Sequence, residues 1–345
     1  MRSEALLRAT FAALLITSFS ASWTKAQPLE FYQGKTVTLV VGGSAGGGYD
    51  ALARAIARFL GRRVPGNPTV VVRNMPGAGG MIATNYLYSN AEADGTVVGL
   101  VENSTPLAPL FGAREVRYDP TRFGWLGTPS IEVALVLLWH TVSVNSVDDL
   151  KDQVTTMGAS GVNSTQAFYS RLLNSTLGTK MKVINGYAGL NDSFLAMERG
   201  EIDGSPSVFY SALTSTRPAW LSDHSAKAIV QYGPVRLSEL PGVPFASDLV
   251  TNPDDKLLME AAFAPLALGR PMTMPPGVPA GRLATMRNAL AEVFGDPQFK
   301  AAADKSGLIV NAPQTGEQLQ EVINRAYGSP PRIVDRLRQL ANPTQ

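Results

Sequence analysis

Residues 36–60, TVTLVVGGSAGGGYDALARAIARFL, combine the residue types a chain uses to receive an anion. Val37 to Val41 form a short apolar run of strand character. Gly42, Gly43, Gly46, Gly47 and Gly48 then surround Ser44 and Ala45. After Asp50 the spacing turns helical, with Leu52, Ile56, Phe59 and Leu60 on one face. A strand feeding a glycine-rich turn and then a helix leaves several backbone N–H groups without partners at the helix start. Those donors and the positive end of the helix dipole favour an anion, and glycine lets it come close to the backbone. The segment NMPGAGG at 74–80 closes a second strand, Thr69 to Arg73. It supplies another set of bare N–H groups before a helix opening at Met81. MGASGVNST at 157–165 repeats the design: glycines and small hydroxyl residues precede a helix that Asn163 or Ser164 is suited to cap.

Other chemistries fit these residues less well. Gly42-Gly43-Ser44-Ala45-Gly46 matches the G-x-S-x-G nucleophile elbow of hydrolases. It follows the first strand, however, where such enzymes build several strands beforehand. One of the two histidines of the chain, His140 or His224, would have to reach Ser44 with a carboxylate behind it. Gly46-x-Gly48-x-x-Ala51 matches a relaxed dinucleotide fingerprint, but Arg73-Asn74 stands where an acid for the ribose is wanted. No G-x-x-x-x-G-K-[ST] phosphate loop occurs, and two isolated histidines without cysteine make no zinc ligand set. Binding without catalysis, cofactor or metal is therefore the expectation. The alternative is an exported serine hydrolase using Ser44.

The elements that position these loops alternate between strand and helix. Strand signals lie at Thr96 to Val101, Ile131 to Trp139, Thr155 to Met157, Lys180 to Ile184 and Ala226 to Val230. Helical spacing runs over Ser164 to Leu173, Asn191 to Glu198, Ala280 to Phe294, Thr315 to Ala326 and Ile333 to Leu340. This alternation predicts α/β sheets covered on both faces, with ligands received beyond the carboxyl ends of the strands. Arg2, Arg8, the short apolar stretch Phe11 to Phe19 and Thr24-Lys25-Ala26 read as an export leader cleaved after Ala26, with Ala21 as the alternative. Discounting 1–26 leaves a formally neutral chain, which argues against a nucleic-acid surface. With no cysteine, an exported chain must draw its stability from core burial.

Taken in order, these segments resemble the Bug or TctC-type extracytoplasmic solute receptors of tripartite tricarboxylate transporters. The resemblance covers essentially the whole chain after the leader. Its motifs are Tyr32-x-Gly34-Lys35-x-Val37, then Gly46-Gly47-Gly48-x-Asp50-x-x-Ala53-Arg54, Asn74-x-Pro76-Gly77-Ala78-Gly79-Gly80 and Asp94-Gly95-Thr96. Gly158-x-Ser160-Gly161-Val162, Tyr187-x-Gly189, Gly200-Glu201-Ile202-Asp203, the proline pair Pro241 and Pro244, Pro275-Pro276-Gly277 and Asp296-Pro297-x-Phe299 follow.

The resemblance implies a two-lobed periplasmic binding protein of type II-like architecture with two hinge crossings. Lobe one would span 27–129 plus 232–345, with the C-terminal helices packed back onto it, and lobe two 130–231. It implies a monomer that closes on a small organic carboxylate and hands it to inner-membrane permease subunits. By residue match, the carboxylate would meet Ser44, Ala45, Gly47, Gly48, Tyr49, Gly77, Ala78, Gly79 and Gly80. Ser160, Asn163, Ser164, Thr165 and Asp203 would read its distal end. The chain departs from the family pattern at Gly43, Ala45, Tyr49, Gln166-Ala167-Phe168 and Ala188, in or near the expected pocket. Tyr49 and Phe168 are open to two readings, solute contact or packing against their own helices. Asp50 either caps its helix or reaches the ligand.

Overall fold

The computed structural model describes residues 31–343; the expected leader at 1–26 lies outside them. Strand β1 (Thr36–Val41) leads through the first glycine loop into helix α1 (Gly48–Leu60), and β2 (Thr69–Asn74) through the second into α2 (Met81–Ser89). β3 (Val97–Leu100) and β4 (Gly124–Thr128) follow, and the chain leaves this sheet over residues 129–133. The second sheet is built from β5 (Ala134–Trp139), α3 (Val147–Asp152), β6 (Thr155–Ala159), α4 (Thr165–Leu177), β7 (Met181–Asn185), α5 (Leu190–Glu198), β8 (Gly204–Phe209), α6 (Tyr210–Thr216) and β9 (Ala226–Tyr232). The return passes through α7 (Pro253–Leu268) to β10 (Met272–Met274), which inserts antiparallel between β3 and β4. α8 (Ala280–Gly295), α9 (Pro297–Asp304), β11 (Gln314–Thr315), α10 (Gly316–Tyr327) and α11 (Pro331–Ala341) complete the chain. The sheet orders are β11-β4-β10-β3-β1-β2 and β7-β6-β8-β5-β9.

The near-continuous apolar runs have a simple cause. On β1, Val37, Leu39 and Val41 face a core with α1, α8 and α9, while Val40 faces another with α2 and α10. A strand covered on both faces cannot alternate with polar residues. β5 does the same in the second sheet. Its Ala134, Val136 and Leu138 join α4, α7 and α11, and Leu135 and Leu137 join Phe194 and Trp220. Each of these fully buried valine and leucine side chains contributes roughly 1.5–3 kcal/mol.

Strand directions place the loops. β1 runs parallel to β2 and β3, and β10 is antiparallel to both β3 and β4, so all four of β1 to β4 end at one edge. In the second sheet β6 runs parallel to β7 and β8, whereas β5 is antiparallel to β8 and β9. The ends of β6 to β9 therefore share an edge with the start of β5. The direct link from β4 to β5 sets those two edges against each other, with the glycine loops between them.

The C-terminal helices divide. α8 and α9 pack under the first sheet. Against the sequence expectation, α7 and α11 bury Leu258, Phe263, Ile333 and Leu337 in the same core as α4 and the second sheet. The apolar stripe of α11 finds its surface there. Arg332 and Arg336 pair with Asp254 at 2.8 Å and Asp255 at 2.7 Å, at the start of α7. Among the described residues, no helix is long and apolar enough to cross a membrane.

Candidate functional site

Loop one is held open by its own residues. Asp50 is buried, and its Oδ2 accepts from the Gly46 N–H at 2.9 Å and from Arg54 Nε at 3.0 Å. Arg54, then the Gly46 amide, hold the Asp50 carboxyl down at about 2. Asp50 is thus neither cap nor exposed ligand contact; Gly47 is the N-cap of α1, and no side chain caps that helix. Asn74, ending β2, donates from Nδ2 to the Gly43 carbonyl at 3.1 Å and so braces loop one from the second strand.

Some expected donors are consumed and others are not. The Gly46 N–H goes to Asp50, the Gly47 N–H to the Ser44 carbonyl at 3.1 Å, and the Gly80 N–H to the Gly77 carbonyl at 3.0 Å. Among the described residues, the N–H groups of Ser44, Ala45, Gly48, Tyr49, Gly77, Ala78 and Gly79 have no acceptor. Ser44 to Gly48 and Gly77 to Gly79 are exposed. The loops touch at their base, where a Cβ on Gly42 would lie 3.5 Å from Gly80 Cα. Residues 77–80 all have positive φ, from 47° at Ala78 to 126° at Gly77.

The Asp50 bracing carries a prediction. Asp50→Asn is expected to cost roughly 1–2 kcal/mol at neutral pH, through the loss of charge-assisted bonds to a partly exposed arginine and one amide. The native carboxyl titrates near 2 and the unfolded one at its ordinary 3.8. The stabilisation is therefore complete above the ordinary value and disappears as pH falls through the native one. Urea unfolding at pH 7, 4 and 2.5 checks this. The gap between the two proteins should close toward pH 2.5, and a constant gap would contradict it.

In the second lobe Ser160, Asn163 and Thr165 are exposed at the end of β6, on the facing edge. Ser164 caps α4, its hydroxyl accepting from the Ala167 N–H at 3.2 Å. Asp203 is not brought to this loop. Its Oδ2 accepts from Thr156 N at 2.6 Å and Thr156 Oγ1 at 2.7 Å, which ties the start of β8 to the start of β6. Four residues of strand, about 13 Å, separate it from Ser160. Phe168 is buried and meets Phe111 edge-on at 5.3 Å, so it packs rather than facing the cleft. Tyr49 also packs: its hydroxyl accepts from the Asn103 N–H at 3.2 Å, and the Arg270 guanidinium sits 5.5 Å from its ring centroid.

The sequence reading missed three charged residues. Glu102 follows β3 beneath both glycine loops; a Cβ on Gly80 would meet its Cγ at 2.6 Å. Glu132 lies on the first crossing, 8% exposed, and accepts from Ser211 Oγ at 2.7 Å. Burial pushes both carboxyls up; Tyr49 and Arg270 pull Glu102 back, and Ser211 and Arg270 do so for Glu132. Arg270, between α7 and β10, donates from Nη1 to the Gly48 carbonyl at 3.2 Å and from its backbone to Thr128 Oγ1 at 2.9 Å. No local motif marks any of the three; only the topology gathers them. A cavity of about 890 Å³ lies elsewhere, between α7 and α10, and none of the glycine loops lines it.

Ser44 has no triad. His140 follows the end of β5, and His224 precedes β9, so both stand at the far edge of the second sheet. That is about 20 Å of strand from the edge facing Ser44.

Two α/β lobes joined by paired crossings, with the strand ends of both facing one cleft, make the fold of the two-lobed periplasmic binding proteins. Similar proteins agree. A TctC solute binding protein from Polaromonas superposes with TM-score 0.71 at 20% identity, covering 90% of this chain and 99% of that one. MatC from Rhodopseudomonas palustris with bound malate superposes at 0.58 and 19% identity, covering 89% and 99%. In sequence, a UPF0065 protein of the TAR-I ttuE-ttuC' intergenic region of Agrobacterium vitis is 28% identical over 204 residues. That match spans 57% of this chain and 57% of the relative. No family model matches the chain. The resemblance to the Bug/TctC receptors read from the sequence stands on these relatives.

Proposed function

We propose that this chain is a periplasmic solute-binding protein of the Bug/TctC type, which captures a small carboxylate-bearing solute between its lobes and changes no bond in it. The carrying observation is the row of exposed, unpaired amides in two touching loops at the head of α1 and α2. Such donors hold an anion without a matching cation and stay fixed while they do so. The malate bound by the similar MatC supports the same ligand class. Ser44, Ala45, Gly48, Tyr49 and Gly77 to Gly79 would receive the carboxylate through the backbone. Ser160, Asn163 and Thr165 would close over the other end. Lobe one takes 27–129 plus 232–345 apart from α7 and α11, which pack with lobe two, 130–231. The leader at 1–26 sends the chain to the periplasm, where it acts as a monomer and delivers to inner-membrane permease subunits of a tripartite tricarboxylate-type transporter.

A thermal-shift screen of carboxylates tests the reading. A true ligand at a hundredfold excess over Kd should add about 2.7 kcal/mol of stability by mass action. The hydrolase alternative would need Ser44-dependent turnover of a chromogenic ester. No turnover, together with ligand-dependent melting, is the expected result.

A further inference from the structure

The cleft holds acceptors as well as donors. Glu132 is more than nine-tenths buried, yet among the described residues Ser211 is the one group that donates to its carboxylate. No Lys, Arg or His lies within ion-pair distance of it among the described residues. Arg270 eases the charge from beyond contact, but a buried carboxylate with no ion pair in contact remains costly. If its task were only to bridge the first crossing to α6 through Ser211, a neutral amide would serve at lower cost. Glu132 and Ser211 stand where the first crossing meets the head of α6, on the cleft edge of the second lobe. Arg270 stands beside Gly48 at the head of α1, and no carboxylate pairs with it at ion-pair distance among the described residues. A cation and an anion, neither closed by an ion pair in contact, therefore stand at the junction of the lobes, near enough for Arg270 to act on Glu132. A ligand of one sign would satisfy one and repel the other.

Resting on the receptor reading above, we propose that the solute is an amino acid: its carboxylate meets the loop amides beside Arg270, and its ammonium meets Glu132. The assignment gives each of the two charges a partner in contact. A dicarboxylate would bring a second negative charge toward Glu132 and Glu102, and like charges in a low-dielectric cleft are unfavourable.

Matched acids that differ only in the α-substituent test it: propionate, lactate and alanine; succinate, malate and aspartate; hydrocinnamate, phenyllactate and phenylalanine. Kd is measured at pH 7 by calorimetry on the full mature chain. In the triad that fits, the amino acid should bind at least about tenfold tighter than the unsubstituted acid, the hydroxy acid falling between them. Glu132→Gln keeps the shape and the bond to Ser211, and should compress that ratio toward one. Arg270→Gln should weaken all three members together and leave the ratio unchanged. Melting of the unliganded variants shows that they are folded. An unsubstituted acid that binds as tightly as its amino acid, or a ratio untouched by Glu132→Gln, overturns the inference and leaves the receptor reading standing. Binding confined to other carboxylates without an ammonium does the same. No binding by any carboxylate overturns both.

Discussion

Gly79→Val is expected to lower solute affinity by about a hundredfold or more, with a folded, cooperatively melting protein retained. Gly79 sits in the middle of the left-handed run of the second loop, at φ +60°, and a Cβ built on it meets no protein atom within 4 Å. The space in front of it is open, and it is the space the free Gly77 to Gly79 amides would share with a carboxylate. A valine there fills that volume with methyl groups and shields the donors. It also costs about 1–2 kcal/mol of backbone strain, because a β-branched residue is disfavoured at positive φ. Strain alone is separated from obstruction by Gly34→Val. Gly34 has φ +71° and equally open surroundings, but it precedes β1 at the opposite edge of the sheet. Both variants should lose similar stability, and only the first should lose affinity. Equal affinities in the two would remove the carboxylate from the second loop.

Much of the first lobe is written locally in the sequence. The Val37 to Val41 run, the glycine loop and the apolar face of α1 lie adjacent in the chain, and the core they enter contains Leu52, Ile56, Phe59 and Leu60 as their spacing requires. β8 is the opposite case. It is the central strand of the second sheet, yet it reads GSPSVF, with no apolar run to mark it. Its small residues are demanded by neighbours: a Cβ on Gly204 would run into the backbone of β5. β5 itself begins at Ala134, and residues 131–133, which the sequence reading placed in the strand, form the crossing instead, with Glu132 between Ile131 and Val133. Asp203 was misplaced for a related reason. An acid after a strand-like pair reads as a strand end, but here it precedes β8, and strand direction sends it to the far edge. Glu102, Glu132 and Arg270 lie far apart in sequence and meet through the return of α7 to β10. No window of neighbouring residues contains that meeting.

The same meeting makes Gly269→Ala the substitution with the largest expected loss of stability. Gly269 ends α7 at φ +59° and ψ −105°, a region nearly closed to residues with a Cβ. An added methyl would be driven into the carbonyl oxygen of Ser130 on the first crossing, and would stand 3.0 Å from Thr128 Oγ1. The first is a backbone atom, and the second is held by two hydrogen bonds. Thr128 Oγ1 donates to the Ser130 carbonyl at 2.8 Å and accepts the Arg270 N–H at 2.9 Å, so the two crossings are clasped at this point. The expected cost is about 4 kcal/mol, from backbone strain and forced separation of the crossings, or a drop on the order of 10 °C in melting temperature. Gly281→Ala, at a helical glycine with open surroundings, should leave the melting temperature nearly unchanged. The outcome also bears on closure. If the crossings separate rather than resist, Arg270 moves with Gly269 away from Gly48. Affinity then falls by more than the stability loss accounts for, even at temperatures where the variant is fully folded. A melting temperature equal to that of the parent protein would mean that the crossings are not in contact at Gly269, and the cleft floor would then lack the fixed spacing between Glu132 and Arg270 on which recognition of both charges depends.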